Sequence, residues 1–217
     1  MLARIRISVP DRPGSLGRVA TSLGTAGADI AQVEVLEAEA GRALDDVHVV
    51  VRDLDHLDHL GTVLAGVPGV TVVGLQHPAP PTNGHAELEL VAQVLAQPGR
   101  SLQTLVDGAP GAIGAHWAGL LGYDQDGMPT GVVATSAGCP GEDALPLTAP
   151  LRVSAPAVPG AAGAALVPVG SGLGLAVVRD TGPPFHRSEL WRLEQVGRIV
   201  GVAAATVRGL PQQAPFA

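Results

Sequence analysis

The sequence predicts an α+β protein built from two domains. Strand and helix periodicities follow the order βαββαβ over residues 1–75. Alternating strand patterns, bounded by turn residues and flanked by helical patterns, occupy residues 86–207. Between these parts, residues 77–85 contain three prolines and no apolar periodicity, which is typical of an extended linker. The predicted domains are therefore 1–76 and 86–210, with a tail at 211–217.

The N-terminal part is predicted to be a two-layer, ferredoxin-like domain. Apolar and polar residues alternate with the period of a strand over residues 2–9, 30–39, 46–51 and 70–75. Apolar residues at helical spacing predict helices over 16–25 and after Asp53, which is an expected N-cap. In this order of elements, both helices cover one face of a four-stranded antiparallel sheet. The other face, or its edge, must be covered in some other way.

The loop over residues 11–16 is the first candidate functional site. Pro13 fixes φ in the turn, and Gly14 permits backbone angles that a Cβ forbids. Ser15 is an expected N-cap, because its hydroxyl can accept a hydrogen bond from a free N–H of the first helical turn. The loop then presents unpaired N–H groups at the positive end of a helix, where a small carboxylate can bind.

The sequence Asp11-Arg12-Pro13-Gly14-Ser15-Leu16 between a strand and a helix, followed by Gly27-Ala28-Asp29-Ile30 at the entry to a second strand, resembles the ACT domain. This small regulatory module often binds amino acids, and the resemblance covers about the first 75 residues. It implies side-by-side pairing with the loop at the interface, either in a homodimer or with an internal partner in the second half of the chain.

The resemblance also implies which residues bind the amino acid. The N–H groups of Ser15 and Leu16 would hold its carboxylate, and Asp29 or Asp11 its ammonium group. The candidate ligand-binding residues are Asp11, Pro13, Gly14, Ser15, Leu16, Asp29 and Ile30. The alternative is a capped connection between strand and helix with nothing bound.

The C-terminal part is predicted to contain helices, antiparallel strands and a long terminal helix. Helical spacing indicates helices over 87–96, after a capping Ser101, and over 187–207, and alternation indicates strands over 114–123, 130–136, 164–169 and 172–178. Residues 137–162 are rich in Gly, Ala and Pro and show no regular pattern.

The strand Gly172-Leu173-Gly174-Leu175, followed by a helix that opens with Pro184-Phe185-His186-Arg187, resembles the GAF domain over about residues 86–207. GAF domains are ligand-binding or dimerising sensor modules in many bacterial regulators. The sequence lacks the Asn-Lys-Phe…Asp-Glu pattern of cyclic-nucleotide-binding members and a tetrapyrrole-attachment cysteine. The resemblance therefore implies a sensor or dimerisation role without those ligands.

Composition narrows the classes of partner. The formal net charge of −7 argues against a nucleic-acid or anionic-membrane surface as the main partner. A single cysteine excludes an intramolecular disulfide and fits a reducing compartment. No segment offers about 20 apolar residues without a charge. We expect a cytoplasmic protein without a cofactor.

For the remaining cysteine and histidine motifs, the sequence favours structural roles over catalytic or metal-binding ones. Cys139 lies beside Glu142 and Asp143, and a reactive thiol needs a cationic or helix-N-terminal setting, so an incidental loop cysteine is favoured. His56 and His59 share one helical face, but no second pair completes a zinc site, so solvated helix polars are favoured and no metal is expected. His116 either faces a pocket or packs at a strand edge.

The sequence therefore predicts a non-catalytic, allosteric regulatory protein. An amino acid or another small effector would bind at the ACT interface, and the GAF-like half would respond or transmit the signal to an unidentified downstream protein. The alternatives are a small hydrolase or transferase with a groove near Cys139 and His116, and a ligand-free dimerisation module.

Overall fold

The computed structural model describes residues 1–77, 79, 85–147, 151–170 and 172–209. Contacts divide the chain into an N-terminal unit, Met1–Thr82 with Thr181–His186, and a C-terminal unit, Asn83–Asp180 with Arg187–Ala217. The predicted linker at 77–85 falls largely, and the predicted tail at 211–217 entirely, outside the described residues. Among the described residues, no helix is both long and apolar enough to cross a bilayer.

The N-terminal unit has the predicted βαββαβ order. Its elements are β1 (Leu2–Pro10), α1 (Ser15–Thr25), β2 (Asp29–Glu39), β3 (Arg42–Val50), α2 (Leu54–Ala65) and β4 (Thr71–Gln76). The strands form one antiparallel sheet in the order β2-β3-β1-β4. The ferredoxin-like expectation is confirmed. The Asp53 cap is confirmed as well, because its side chain accepts a hydrogen bond from the His56 N–H at 2.7 Å.

The core of this unit lies between the sheet and the two helices. Alternate residues of β1 are fully buried because they share one face of the central strand. They belong to one apolar cluster with side chains of α1, β3 and α2, including Ile5, Ile7, Val19, Leu23, Val47, Val49, Leu60 and Leu64.

The opposite face of β1 and β3 carries ion pairs in place of apolar residues. Asp46 accepts hydrogen bonds from Arg4 Nη1 at 3.1 Å and from Arg6 Nε and Nη2 at 2.7 Å each. Arg4 also donates to the side chain of Gln76, and Arg6 to the carbonyl of Pro184 at 2.7 Å. The side chains of Arg4, Arg6, Asp46 and Gln76 are buried. This face is therefore covered through charge-assisted hydrogen bonds, which are stronger than neutral ones.

The C-terminal unit is an antiparallel sheet with flanking helices, as predicted. Its elements are α3 (Ala86–Ala96), α4 (Ser101–Ile113), β5 (Trp117–Tyr123), β6 (Pro129–Thr135), β7 (Gly163–Pro168), β8 (Leu173–Arg179) and α5 (Arg187–Gly209). The sheet order is β6-β5-β8-β7. Two short 3₁₀ turns, Pro98–Arg100 and Glu142–Ala144, complete the regular structure of the described residues.

Two details around α4 differ from the sequence predictions. Ser101 is the first helical residue and not a cap. The helix continues to Ile113, so the predicted strand over 114–123 begins only at Trp117. The reason is that Gly114 ends α4 in the left-handed conformation. The carbonyls of Ile113 and Gly114 accept hydrogen bonds from the buried Arg179 at 2.8 Å each, which satisfies groups that a helix end leaves open.

The described residues of the segment over 137–162, which lacks a sequence pattern, pack against the sheet of the C-terminal unit. A Cβ at Gly119 would lie 2.5 Å from the side chain of Leu145, and one at Gly174 would lie 2.7 Å from that of Leu151. The two glycines therefore let this segment approach the strands, and Leu145 and Leu151 belong to the apolar cluster on the sheet.

Candidate ligand-binding site

The β1–α1 loop is held in place by its own backbone. The Asp11 N–H donates to the Gly41 carbonyl at 2.9 Å, and the Arg12 N–H donates to the Pro10 carbonyl at 2.9 Å. Gly14 adopts a φ of 86°, a left-handed conformation that a residue with a Cβ takes only at a cost. The glycine at this position therefore sets the direction in which the chain enters α1.

The predicted cap at Ser15 is wrong, because α1 starts with Ser15 and Gly14 occupies the N-cap position. The Ser15 hydroxyl accepts a hydrogen bond from Arg18 Nη2 at 3.3 Å, and the Ser15 N–H donates to the Arg12 carbonyl at 3.2 Å. The expectation that this N–H would bind a ligand carboxylate is therefore corrected. Within the described residues, no acceptor is found for the N–H groups of Leu16 and Gly17, as expected for a first helical turn.

A cavity of about 260 Å³ lies beside this loop. Five of the predicted site residues line it, namely Asp11, Pro13, Gly14, Ser15 and Leu16. The other lining residues come from the remainder of the loop and from the ends of three strands, namely Val9, Pro10, Arg12, Gly17, Val35, Ala38, Ala43 and Asp45. The cavity is slightly smaller than the roughly 300–1,000 Å³ typical of pockets for drug-sized ligands, so it suits a small metabolite.

Asp29 and Ile30 are not among the residues that line the cavity. They begin β2 opposite Val50 and Val49, whereas the cavity is lined by Val35 and Ala38, farther along the same strand. Asp29 is exposed, and Ile30 packs on the apolar core. In a single copy of the chain, the structure therefore separates these two residues from the loop with which the sequence grouped them.

Asp45 is a lining residue that the sequence interpretation missed. Its side chain is 0% exposed, and neither carboxylate oxygen has a hydrogen-bond partner among the described residues. Burial raises the pKa of Asp45, and the nearby charges of Asp46 and Asp11 raise this pKa further. An available signal was the strand alternation itself, since Asp45 occupies an apolar position between Ala43 and Val47. The predicted strand began one residue later, at position 46, so this position was not considered.

The histidine pair on α2 is not a pair of solvated polar residues. His56 is buried, its Nδ1 accepts from the Arg52 N–H at 3.3 Å, and its Nε2 lies 3.1 Å from the Ala26 carbonyl oxygen. It therefore connects α2 with the end of α1, while His59 is exposed. In the part of the chain that the structure describes, no group of three or more His, Cys, Asp or Glu side chains is arranged to hold a metal ion.

The hydrogen bonds of Cys139 and His116 go to different backbone groups. The Cys139 thiol lies 3.4 Å from the Gly141 carbonyl oxygen, to which it donates. His116 Nδ1 accepts from the Asp180 N–H at 3.2 Å. These bonds do not join a thiol nucleophile to a histidine base, which is the arrangement that catalysis by such a pair requires.

Comparison with known families identifies the N-terminal unit. Residues 1–74 match the family model of the ACT domain. Residues 1–74 form an ACT domain. This match includes β1, α1 and the loop between them, so the cavity beside that loop belongs to the ACT domain. A search of curated proteins finds no match.

Solved structures give weaker similarities. The ACT domain of GTP pyrophosphokinase from Chlorobium tepidum is 24% identical, with a TM-score of 0.30, over 35% of this chain and 95% of that one. A GAF domain from an Acinetobacter phosphoenolpyruvate-protein phosphotransferase is 11% identical, with a TM-score of 0.43, over 59% and 98%. The ligand-free regulatory subunit of aspartate kinase from Thermus thermophilus is 13% identical, with a TM-score of 0.32, over 93% and 91%. Because all three TM-scores are below 0.5, the assignment of residues 1–74 to a family rests on the match to the ACT family model alone.

Proposed function

We propose that this chain is a non-catalytic regulatory protein whose ACT domain binds an amino acid at the cavity beside the β1–α1 loop. The observation that carries the proposal is the pair of N–H groups of Leu16 and Gly17, which have no acceptor among the described residues and belong to residues lining that cavity. N–H groups at the positive end of a helix favour a carboxylate. Asp11, on the same cavity, supplies a negative charge for an ammonium group.

The ACT domain is proposed to form a homodimer along β2. This strand lies at the edge of the sheet and exposes Val33 by 40% and Val35 by 55%. An exposed apolar edge strand favours pairing with another chain. Val35 also lines the cavity, so a second copy along β2 would bring the ligand site to the interface. Asp29 and Ile30 stay predictions for a site completed by that second copy.

The C-terminal unit is proposed to be a GAF-like domain that responds to the state of the ACT domain. The observed order of helices and antiparallel strands supports this proposal. A ligand biases an equilibrium between two arrangements only through different affinities for them. The amino acid would therefore favour one dimer arrangement, and a downstream protein would detect the result. The acidic net charge of −7 argues against nucleic acid or an anionic membrane as that partner.

Isothermal titration of the full chain with each of the twenty amino acids tests whether an amino acid binds and which one binds most tightly. The matched variants are Gly17→Pro, which removes one N–H donor, and Gly17→Ala, which keeps it. The Gly17 N–H has no helical partner, so a proline at this position breaks no helical hydrogen bond. A Cβ at Gly17 meets nothing within 4 Å. A hydrogen bond to a charged group contributes about 1.5–3 kcal/mol, so Gly17→Pro should weaken binding about tenfold or more and Gly17→Ala should not.

Analytical ultracentrifugation tests the dimer and separates the alternatives. The chain should sediment as a dimer, and Val33→Arg on the edge strand should shift it towards monomer, while Asp58→Arg on the exposed face of α2 should not. A stable dimer with no heat from any amino acid would instead support the ligand-free dimerisation module. Binding that survives Gly17→Pro unchanged would contradict the proposed site.

A further inference from the structure

We propose that Asp45 holds the ammonium group of the bound amino acid, so that the site selects ligands that carry both a carboxylate and a primary amine. This inference rests on the proposed function and names a residue and a selectivity that the ACT loop alone does not supply. Two features lie on one cavity: the donors at the start of α1 and an unpaired, fully buried carboxylate on β3.

The environment of Asp45 is unusual for a structural residue. Opposite it in the sheet stand Ile7 on β1 and Val35 on β2. Neither neighbour has a group that can donate a side-chain hydrogen bond. Buried carboxylates are normally paired or hydrogen-bonded, because removing a charge from water without a partner is costly. Among the described residues, Asp45 therefore lacks the partner that a ligand cation would supply.

The chemistry of the cavity favours an ammonium group over a metal ion. The cavity has two carboxylates, those of Asp11 and Asp45, whereas calcium takes 6–8 oxygen ligands and magnesium requires octahedral coordination. An ammonium group has three donors and no acceptor, so two carboxylates satisfy it well. Nearby Asp46 is not available to the ligand, because Arg4 and Arg6 already occupy its oxygens.

A zwitterion satisfies both ends of this cavity at once. Its carboxylate accepts from the Leu16 and Gly17 N–H groups, and its ammonium donates to Asp45. A 2-hydroxy acid of the same shape keeps the first contact and leaves the Asp45 carboxylate without a cation. Sites that are built to bind a polar group reject analogues that lack it by large factors, because the buried partner is left unpaired. We expect the 2-hydroxy acid to bind at least 100-fold more weakly than the matching amino acid.

The test uses the full chain and the tightest binder among the twenty amino acids. Asp45→Asn and Asp45→Val are titrated beside Asp58→Asn, which removes an exposed carboxylate on α2 outside the cavity. Thermal unfolding followed by circular dichroism confirms that each variant is folded. Both Asp45 variants should lose at least 30-fold in affinity, and Asp58→Asn should match the wild type. Titration of the wild type with the 2-hydroxy analogue of the same ligand tests the selectivity for the amine without any substitution in the protein.

The outcomes separate this inference from the function on which it rests. If no amino acid binds the wild type, both are overturned. If binding falls in Gly17→Pro but both Asp45 variants retain wild-type affinity, the ACT site stands and the role of Asp45 is overturned. Equal affinities for the amino acid and its 2-hydroxy analogue would likewise overturn the selectivity, whereas a joint loss in the Asp45 variants and with the analogue supports it.

Discussion

Asp45→Val is expected to stabilise the ACT domain at neutral pH although it removes a polar group. Asp45 stands at an apolar position of β3, and its oxygens have no partner among the described residues. A buried polar group without a partner costs about 1–3 kcal/mol, and full burial of a valine side chain contributes about 1.5 kcal/mol or more. We therefore expect a gain of about 2.5–4.5 kcal/mol in the free energy of unfolding at pH 7, since valine is close to aspartate in size.

The gain should depend on pH in a defined direction. Burial, followed by the charges of Asp46 and Asp11, raises the folded-state pKa of Asp45 above the ordinary value of 3.8. The stability that this group contributes is complete below the unfolded pKa and is lost as the pH rises through the folded pKa. Wild type should thus weaken relative to Asp45→Val from about pH 4 upward, so that the gain is larger at pH 7 than at pH 4.

Hydrogen exchange followed by mass spectrometry suits this measurement. Both tryptophans, Trp117 and Trp191, lie in the C-terminal unit, so fluorescence does not report on the ACT domain. Amides of β1 and β3 in the full chain report the opening free energy of that domain. Asp58→Asn serves as the control and should leave the protection of these amides unchanged. Equal or lower protection in Asp45→Val at pH 7, or a gain that is the same at pH 4, would refute this account of Asp45.

Three further predictions concern the same domain. His48→Leu should reduce the loss of stability between pH 7 and pH 5 in urea unfolding. Burial lowers the pKa of His48, Asp46 partly offsets this effect, and Arg4 and Arg6 lower the pKa further. The stability of such a group is lost as the pH falls below the unfolded value of 6.5, and an unchanged pH dependence would contradict this. Asp46→Ala should destabilise the domain by about 3–5 kcal/mol, because it leaves two buried arginines without their carboxylate. Hydrogen exchange measures this loss, and a loss below 1 kcal/mol would argue that water replaces the carboxylate. Gly14→Ala should lower the free energy of unfolding by about 1–2 kcal/mol, because alanine is strained in the left-handed conformation of this residue. A Cβ at Gly14 meets nothing within 4 Å, so no steric clash adds to this loss. A thermal midpoint equal to that of the wild type would show that the loop relaxes.

The sequence predicted the ACT fold well because its periodicities are regular. β1 alternates between apolar and polar residues, α1 and α2 carry one apolar face each, and turn residues separate the elements. The errors arose where one residue decides a boundary. Ser15 is a strong N-cap by type, yet Gly14 in the left-handed conformation occupies that position. His56 is polar by type, yet it is buried and forms hydrogen bonds with the backbone of Arg52 and Ala26. Sequence periodicity does not predict such contacts.

The site was predicted in part, for a related reason. A loop motif is contiguous in sequence, so five of the seven candidate residues were found on one cavity. Asp45 is separated from that loop by one helix and one strand, α1 and β2, and only the antiparallel register brings it to the same place. Asp29 was grouped with the loop because of a motif, whereas the length of β2 carries the strand away from it. Long-range register is the information that a local pattern does not contain.

The neighbouring carboxylates of β3 show why composition alone does not identify the site. Asp45 and Asp46 have the same side chain and are both buried, but strand alternation directs them to opposite faces of the sheet. On one face, Arg4 and Arg6 occupy the oxygens of Asp46, so its role is structural. On the other face, Asp45 lines the cavity without a hydrogen-bond partner among the described residues, which we expect to raise the free energy of the folded domain. If a ligand cation supplies that partner, the same carboxylate that weakens the free protein strengthens the complex, and binding energy becomes available to shift the proposed dimer between two arrangements.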